Sequence, residues 1–200
     1  GMFGPVGSPK YSEYARDIHE SGKHLLNVIN DILDMSKIEA GHMMIHTETI
    51  DLAPLIEESV RLTSIPADEK HIAVTQRVET GLRMQGDRRA MKQILLNLLS
   101  NAVKFTNEGG RVALRARHTD RGLWLTIADT GIGIPKTALG KIGQPFEQVQ
   151  SQYAKSKGGS GLGLAISRSL VALHGGTMRI RSRVNEGTVV ALFIPRKAET

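Results

Sequence analysis

NLLSNAVKF (residues 97–105), DTGIGIP (129–135) and GGSGLGLAIS (158–167) are the stretches that decide the fold. The first closes an apolar-periodic run that begins after Asp87, which predicts an amphipathic helix with an aspartate N-cap. The second follows an apolar strand, and the third opens another predicted helix. Glycine-rich turns placed after a strand and before a helix are typical of a pocket for a phosphorylated ligand.

The segments between these stretches alternate between helix and strand patterns. RVALRARH (111–118) and LWLTIAD (123–129) predict one hairpin, and TMRIRSRV (177–184) and TVVALFIP (188–195) predict a second. The remaining predicted elements are a short strand over 43–52, a strand over 71–78 and an amphipathic helix over 51–65, opened by Asp51. Helices interleaved with antiparallel strands predict an α+β fold, a two-layer sandwich.

Residues 1–41 form a separate predicted unit. Apolar residues recur at spacings of three, four and seven from Tyr11 to Ala40, which predicts a helix of about 30 residues that Gly41 ends. This segment cannot bury its apolar stripe on itself, so we expect a covering helix from another copy or from a segment outside this sequence. Docking of the helix onto residues 42–200 is the alternative.

Charge is unevenly distributed along the 200 residues. The chain has 26 Lys+Arg and 20 Asp+Glu, a formal charge of +6, of which residues 1–41 contribute −2 and residues 42–200 contribute +8. The positive unit suits an anionic partner, either nucleotide phosphates or nucleic acid.

The absence of Cys excludes disulfides, thiolate metal sites and thiol catalysis. No apolar run approaches the roughly 18 residues of a membrane span, so we expect a soluble polypeptide.

Three polar residues share one stripe of the helix that follows Asp87. Asn97, Asn101 and Lys104 stand at i, i+4 and i+7. A carboxamide oxygen is a ligand suited to Mg²⁺, and an ammonium group one turn further on can meet phosphates. The alternative is a solvated polar face.

The two glycine-rich turns complete the candidate site. Asp129 stands where a strand ends, and its carboxylate can accept a hydrogen bond from an exocyclic amine such as that of adenine, while Gly131 and Gly133 allow close approach of the backbone. The glycines of the second turn are Gly159, Gly161 and Gly163, at a helix mouth that favours an anion. The pattern GxxxxGK[ST] does not occur, and neither turn fits a dinucleotide-binding GxGxxG, so another kind of nucleotide pocket is expected.

Five motifs occur in a fixed order: NLLSNAVKF, DTGIGIP, PFEQ (145–148), GGSGLGLAI and EGT (186–188). They resemble the asparagine, first glycine, phenylalanine and second glycine boxes and the terminal Gly-Thr of the ATP-binding domain of two-component sensor histidine kinases, the Bergerat fold shared with gyrase. The resemblance implies an ATP-binding catalytic domain over 42–200, with a mixed, mainly antiparallel sheet and a lid over about 136–160. Residues 1–41 resemble part of the dimerisation and phosphoacceptor hairpin, its loop and second helix.

The resemblance also implies roles around ATP and Mg²⁺. Asn101 would coordinate Mg²⁺, and Asn97, one turn earlier, would lie close to the ion or its waters. Lys104 would contact phosphate, and Asn97 and Lys104 would be the catalytic residues. Asp129 would bind the adenine amine, with Gly133 beneath the ring. The remaining implied ATP-binding residues are Gly131, Phe146 as the lid anchor, Gly159, Gly161, Leu162, Gly163, and Thr188, which would hold a water or the Asp129 carboxylate.

One position separates a kinase from a hydrolase in this resemblance. Gyrase-like and chaperone ATPases have a glutamate base four residues before the metal asparagine, whereas this chain has Asn97, whose amide cannot take a proton at neutral pH. Slow hydrolysis and transfer of the γ-phosphoryl group to a histidine, then to a response-regulator aspartate, are therefore implied. None of the seven histidines stands in a motif resembling S-H-E-L-R-T-P, so we expect the acceptor to be absent and autophosphorylation not to occur.

The resemblance implies further partners, and three alternatives stay open. We expect a response-regulator receiver domain as partner, a homodimer through the hairpin helix, no nucleic acid, no membrane contact by this segment, and a cytoplasmic location, with a membrane anchor of the parent left open. The alternatives are an ATPase of the same fold, a non-catalytic ATP-binding scaffold, and a nucleic-acid binder. The last is suggested by Arg179, Arg181 and Arg183, although such alternation is more often a solvated sheet face.

Overall fold

The computed structural model describes residues 9–147 and 160–196, and the chain divides into two compact units, Gly1–His42 and Met43–Thr200. The first unit contains helix α1 (Pro9–Glu39), which confirms the predicted long helix. Gly41 follows with φ of 70°, the left-handed conformation that commonly ends helices. Apolar side chains of α1 are exposed, Ile18 to 73% and Leu26 to 61%. The covering helix remains a prediction.

The second unit contains two sheets. A small antiparallel sheet pairs β1 (Glu48–Asp51) with β3 (Arg83–Gly86). The strands of the large sheet are β2 (Ala73–Val78), β4 (Arg111–Thr119), β5 (Gly122–Asp129), β6 (Thr177–Arg183) and β7 (Gly187–Pro195). Their order is β2-β4-β5-β7-β6, with β2 parallel to β4 and every other pair antiparallel. The predicted mixed, mainly antiparallel sheet is confirmed.

Helices cover one face of this sheet. They are α2 (Leu52–Leu62), α3 (Ser64–Glu69), α4 (Arg88–Phe105) and α6 (Gly163–Leu173), whereas the four-residue helix α5 (Lys136–Leu139) buries no residue. The central helix α4 packs against α2, α6 and β5, and burial alternates along β4, where Val112, Leu114 and Ala116 are buried. This one-sided core confirms the two-layer α+β architecture. No helix among the described residues is long and apolar enough to cross a membrane.

The structure departs from the predicted elements in three places. The helix predicted over 51–65 ends at Leu62, because the Thr63 hydroxyl donates to the Val60 carbonyl (2.9 Å) and the chain restarts as α3. Strand β3 was not predicted, since four residues are too short to show a clear period. The helix predicted from Gly161 to His174 is observed as α6, two residues shorter at its start and one at its end.

Asp87 joins the start of α4 to the segment before β1. Its Oδ1 accepts a hydrogen bond from the Ala90 N–H (3.0 Å), which confirms the predicted N-cap, and its Oδ2 accepts one from the His46 N–H (3.0 Å). Burial alone would raise the pKa of Asp87, but the backbone N–H groups of Ala90, His46 and Arg89 outweigh burial and lower it. The carboxylate therefore stabilises the folded state.

We predict that Asp87→Ala lowers the free energy of unfolding by about 1–2 kcal/mol, because two backbone donors lose their acceptor. The matched control is Asp51→Ala at the cap of α2, which loses one exposed bond of 3.2 Å and should cost less. Chemical denaturation at pH 7 measures both. The pKa of Asp87 in the folded state lies below 3.8. Its contribution to the free energy of unfolding is therefore complete above pH 3.8 and is lost as pH falls through the folded pKa. Equal losses in the two variants would contradict this account.

Candidate functional site

The turn after β5 is held by backbone contacts on both sides. The Ile132 N–H donates to the Phe105 carbonyl at the end of α4 (3.1 Å). A Cβ at Gly131 would lie 2.3 Å from the same carbonyl oxygen, and a Cβ at Gly133 would lie 1.9 Å from the Arg183 carbonyl oxygen. Gly133 also has φ of 67°. Both glycines are therefore required by backbone packing, independently of any ligand.

Asp129 is the last residue of β5 and is half-buried. Its Oδ1 accepts hydrogen bonds from the N–H groups of Gly131 (2.9 Å) and Thr188 (3.2 Å). Burial raises the pKa of Asp129, and the two backbone donors lower it by less, so the net direction is upward. Oδ2 receives no hydrogen bond from the residues that the structure describes, so one carboxylate oxygen is fixed and the other is available as an acceptor.

Ser182 connects this turn to the β6–β7 hairpin, and sequence analysis missed it. Its hydroxyl donates to the Gly187 carbonyl (2.7 Å), accepts from the Ile134 N–H (2.8 Å) and lies 2.9 Å from the Thr188 hydroxyl. Since the single Ser182 proton goes to Gly187, Thr188 is the donor in the last pair. A polar residue at an inward position of β6, after Met178 and Ile180, was the signal that could have identified it.

The second glycine-rich turn lies against α4 at Asn97. The Asn97 Nδ2 donates to the Gly163 carbonyl (3.0 Å), which also accepts from the Ser167 hydroxyl (2.8 Å). A Cβ at Gly163 would lie 3.4 Å from the Asn97 Cγ. Leu162 is fully buried, and its N–H donates to the Ser160 hydroxyl (3.2 Å). Among the described residues no side chain caps the start of α6 with a hydrogen bond, and the first N–H groups of a helix have no partner within the helix.

The other two residues of the predicted stripe follow Asn97 along α4. Asn101 and Lys104 are both half-buried, and the Lys104 Nζ lies 5.2 Å from the centroid of the Phe105 ring. Lys70 donates to three carbonyls at the end of α4, including that of Lys104 (3.1 Å). These bonds satisfy carbonyls that a helix end leaves unpaired and fix the stripe. Sequence analysis did not identify Lys70.

The lid is the part of the predicted site that the structure describes least. The predicted lid over about 136–160 includes α5, and Phe146 within it has φ of 63° and an exposed fraction of 66%. Its role as lid anchor stays a prediction. Residues 148–159, including Gly159, lie outside the described residues. Gly161 is described and has φ of 72°, as expected of a glycine in a tight turn before a helix.

A separate cleft of about 390 Å³ lies at the opposite end of β5 from Asp129. Gly122, Leu123, Arg83 and Arg196 are among the residues that line it. Seven residue steps of extended strand separate Gly122 from Asp129, roughly 23 Å. The cleft is therefore not part of the site around Asp129.

Comparison with known proteins identifies the family. Residues 86–198, which contain Asn97, Asp129, Gly163 and Thr188, match the model of the histidine kinase-, DNA gyrase B- and HSP90-like ATPases. The chain belongs to this ATPase family. Membership confirms the predicted fold class and the resemblance to the ATP-binding domain that these proteins share.

Named relatives of this ATPase domain include histidine kinases. The chain is 46% identical over 198 residues to the non-motile and phage-resistance protein of Caulobacter vibrioides, an alignment covering 97% of the chain and 24% of that relative. It is 44% identical over 195 residues to the histidine protein kinase DivJ of the same organism, covering 97% and 32%. A crystal structure of full-length ShkA in complex with AMPPNP matches with a TM-score of 0.80 and 32% identity, covering 97% of this chain and 41% of that chain. The chain thus spans about a quarter to a third of the length of these curated relatives.

Proposed function

We propose that residues 42–200 are the Mg·ATP-binding catalytic domain of a two-component sensor histidine kinase, and residues 1–41 part of its dimerisation hairpin. The γ-phosphoryl group of ATP passes to a histidine and then to an aspartate of a response-regulator receiver domain. The observation that carries this proposal is Asn97, whose amide donates to the Gly163 carbonyl (3.0 Å) at the position where hydrolases of this fold have their base. An amide in that position orients α6 and does not activate water.

Asp129 would recognise the base of ATP. Its Oδ1 is fixed by two backbone N–H groups, so its Oδ2 is held in a defined direction as an acceptor for an exocyclic amine. Adenine carries such an amine. The half-buried position strengthens a charged hydrogen bond there, because less water competes for the carboxylate.

The phosphates would lie between α4 and the start of α6. No side chain in the described part of the chain caps the start of α6, so its first N–H groups and its dipole favour a phosphate, and the Lys104 ammonium adds a positive charge. Magnesium would be held by Asn101 through its carboxamide oxygen. A single carboxamide ligand suits an ion that takes most of its other ligands from water and phosphate oxygens. Bound there, the ion supplies neutralisation of phosphate charge.

We predict that Asn101→Ala weakens ATP binding about tenfold when Mg²⁺ is present and leaves binding in EDTA nearly unchanged. The reason is that the variant removes only the protein's oxygen ligand. Isothermal titration with and without Mg²⁺ measures this difference. Ser100→Ala is the control, since Ser100 is exposed and its hydroxyl donates to the Asn97 carbonyl of its own helix (3.3 Å). An equal loss with and without Mg²⁺ would remove Asn101 from the metal site.

The acceptor histidine would lie outside this chain. His174 cannot serve, because it is 3% exposed and both ring nitrogens are engaged, Nδ1 with the Leu170 carbonyl (2.7 Å) and Nε2 with the Asp87 N–H (3.0 Å). No histidine of the chain stands in a phosphoacceptor-like motif. The exposed apolar stripe of α1 supports pairing with a second hairpin helix and dimerisation of the whole kinase. We also propose a response-regulator receiver domain as partner and a cytoplasmic location.

Phosphate release from the chain alone tests this function against the ATPase alternative. With Mg·ATP and no histidine acceptor, we expect phosphate to appear little faster than in buffer, because Asn97 supplies no base. Rapid multiple-turnover release would overturn the kinase proposal in favour of a hydrolase of the same fold. Failure to bind ATP at all would overturn both.

A further inference from the structure

The outer face of the five-stranded sheet, turned away from α4 and α6, carries two rows of arginines. The rows are Arg111, Arg115 and Arg117 on β4, and Arg179, Arg181 and Arg183 on β6, all exposed and at alternate positions. Arg77 on β2 pairs with Arg115 and adds to the first row. Within the five strands no Asp or Glu shares this face. At its rims Glu186 lies 3.5 Å from Arg183, and Glu79 accepts the His118 N–H (2.7 Å).

An uncharged lane separates the two rows. It consists of three cross-strand pairs of β5 and β7: Trp124 with Phe193, Thr126 with Ala191, and Ala128 with Val189. The rows lie on strands three spacings apart, roughly 14 Å. The lane is therefore two strands wide, and two of its three cross-strand pairs carry only small or β-branched side chains.

An α-helix fits this geometry. With its side chains a helix is about 10–12 Å across, so it can lie along the lane between the rows, and the small residues allow its apolar stripe to approach the sheet. Carboxylates on both flanks of the helix then reach the guanidinium groups, which bind carboxylates through paired hydrogen bonds. We propose that this face binds an acidic amphipathic helix of a partner protein, with its apolar stripe on the lane and acidic residues along both flanks.

The observations favour a helix over single-stranded nucleic acid. Bases bind to aromatic ring faces, but the Trp124 and Phe193 rings are half-buried and pack against each other, 5.1 Å apart and tilted by 42°. The other two pairs of the lane offer no ring. Negative charges of either a nucleic acid or an acidic helix would complement the arginine rows. The lane between the rows suits the apolar stripe of a helix and not a nucleic acid.

Fluorescence anisotropy with a designed peptide tests the proposal. The probe is a labelled helical peptide with a leucine stripe flanked on both sides by Glu, and its twin carries Lys at every Glu position; both are titrated at about 150 mM NaCl. We expect the Glu peptide to bind and the Lys peptide not to. Arg115→Glu with Arg181→Glu should weaken binding more than about tenfold. The control, Arg61→Glu with Arg89→Glu, makes the same charge change on exposed positions of α2 and α4 and should have little effect.

The Ala191→Lys variant distinguishes binding of a helix in the lane from non-specific attraction of any polyanion to the arginines. This substitution adds positive charge to the face but fills the lane, so we expect the Glu peptide to lose more than about tenfold in affinity while the melting temperature is retained. Tighter binding by the variant would overturn the proposal. So would equal loss in the face and control pairs, or stronger binding of an oligouridine RNA or of phosphatidylglycerol vesicles than of the peptide.

Discussion

Replacing Asp129 with Asn is expected to abolish most ATP binding without destabilising the protein. Both backbone hydrogen bonds end on Oδ1, which an asparagine oxygen can replace, whereas Oδ2 becomes an NH₂ group that faces the adenine amine with a second donor. A hydrogen bond to a charged group contributes about 1.5–3 kcal/mol, so we expect a loss of roughly tenfold to more than a hundredfold in affinity. Isothermal titration of both proteins with ATP measures it.

The pH dependence of stability provides a second readout for the same variant. Because burial raises the pKa of Asp129, its ionised form is less favourable in the folded state, and stability is lost as pH rises from 3.8 through the folded pKa. Asn carries no such cost. The variant should therefore melt at an equal or higher temperature than the parent at pH 7, with the advantage shrinking toward pH 4.

Asp120→Asn is the matched control, since Asp120 is exposed in the turn before β5 and should leave affinity and stability unchanged. Unchanged ATP affinity in Asp129→Asn would remove Asp129 from the base pocket. A large loss of stability would instead show that its charge is required for folding.

Gly133→Ala is expected to lower the free energy of unfolding by more than about 3 kcal/mol. The new methyl group would lie 1.9 Å from the Arg183 carbonyl oxygen, on a residue with φ of 67°. The turn and the β6–β7 hairpin would have to separate, which also breaks the Asn185 N–H bond to the Ile132 carbonyl (2.8 Å). Urea denaturation followed by circular dichroism measures the loss.

Two other glycines separate the sources of this effect. Gly81 has φ of 69° but open space at its Cβ, so Gly81→Ala should cost only the backbone strain of about 1–2 kcal/mol. Gly140 has φ of −71° and open space, so Gly140→Ala should be neutral or slightly stabilising. If Gly133→Ala lowers the free energy of unfolding by no more than Gly81→Ala, contact with Arg183 does not explain why position 133 requires glycine. A stable variant that loses only ATP affinity would place its role at the nucleotide.

Local patterns in the sequence predicted much of the fold and the residue types of the site. Asp87 and Asp51 predicted helix starts because capping depends on neighbours two or three residues away. The contacts of Lys70, Ser182 and His174 were not predicted. Lys70 reaches carbonyls 33 or more residues away, and His174 accepts an N–H from a residue 87 positions earlier, so no local period reveals them.

Sequence analysis also identified only part of what some residues face. Gly131 and Gly133 were expected to make room for a ligand, and the structure adds a contact of each with the backbone of a distant segment. Alternation along β6 predicted one row of arginines as a solvated face. The second row, on β4, joins it only through the strand order, which the sequence does not encode locally. The pairing of strands that are distant along the chain is therefore the part of the fold that the sequence did not predict.

Transfer of label from γ-labelled ATP to a separately purified dimerisation hairpin carrying the acceptor histidine tests the central claim most directly. The account predicts that the hairpin becomes labelled on histidine when this chain and Mg²⁺ are present, that Asp129→Asn abolishes the labelling, and that little free phosphate accumulates. An unlabelled hairpin with rapid accumulation of free phosphate would contradict the account and identify the chain as a hydrolase.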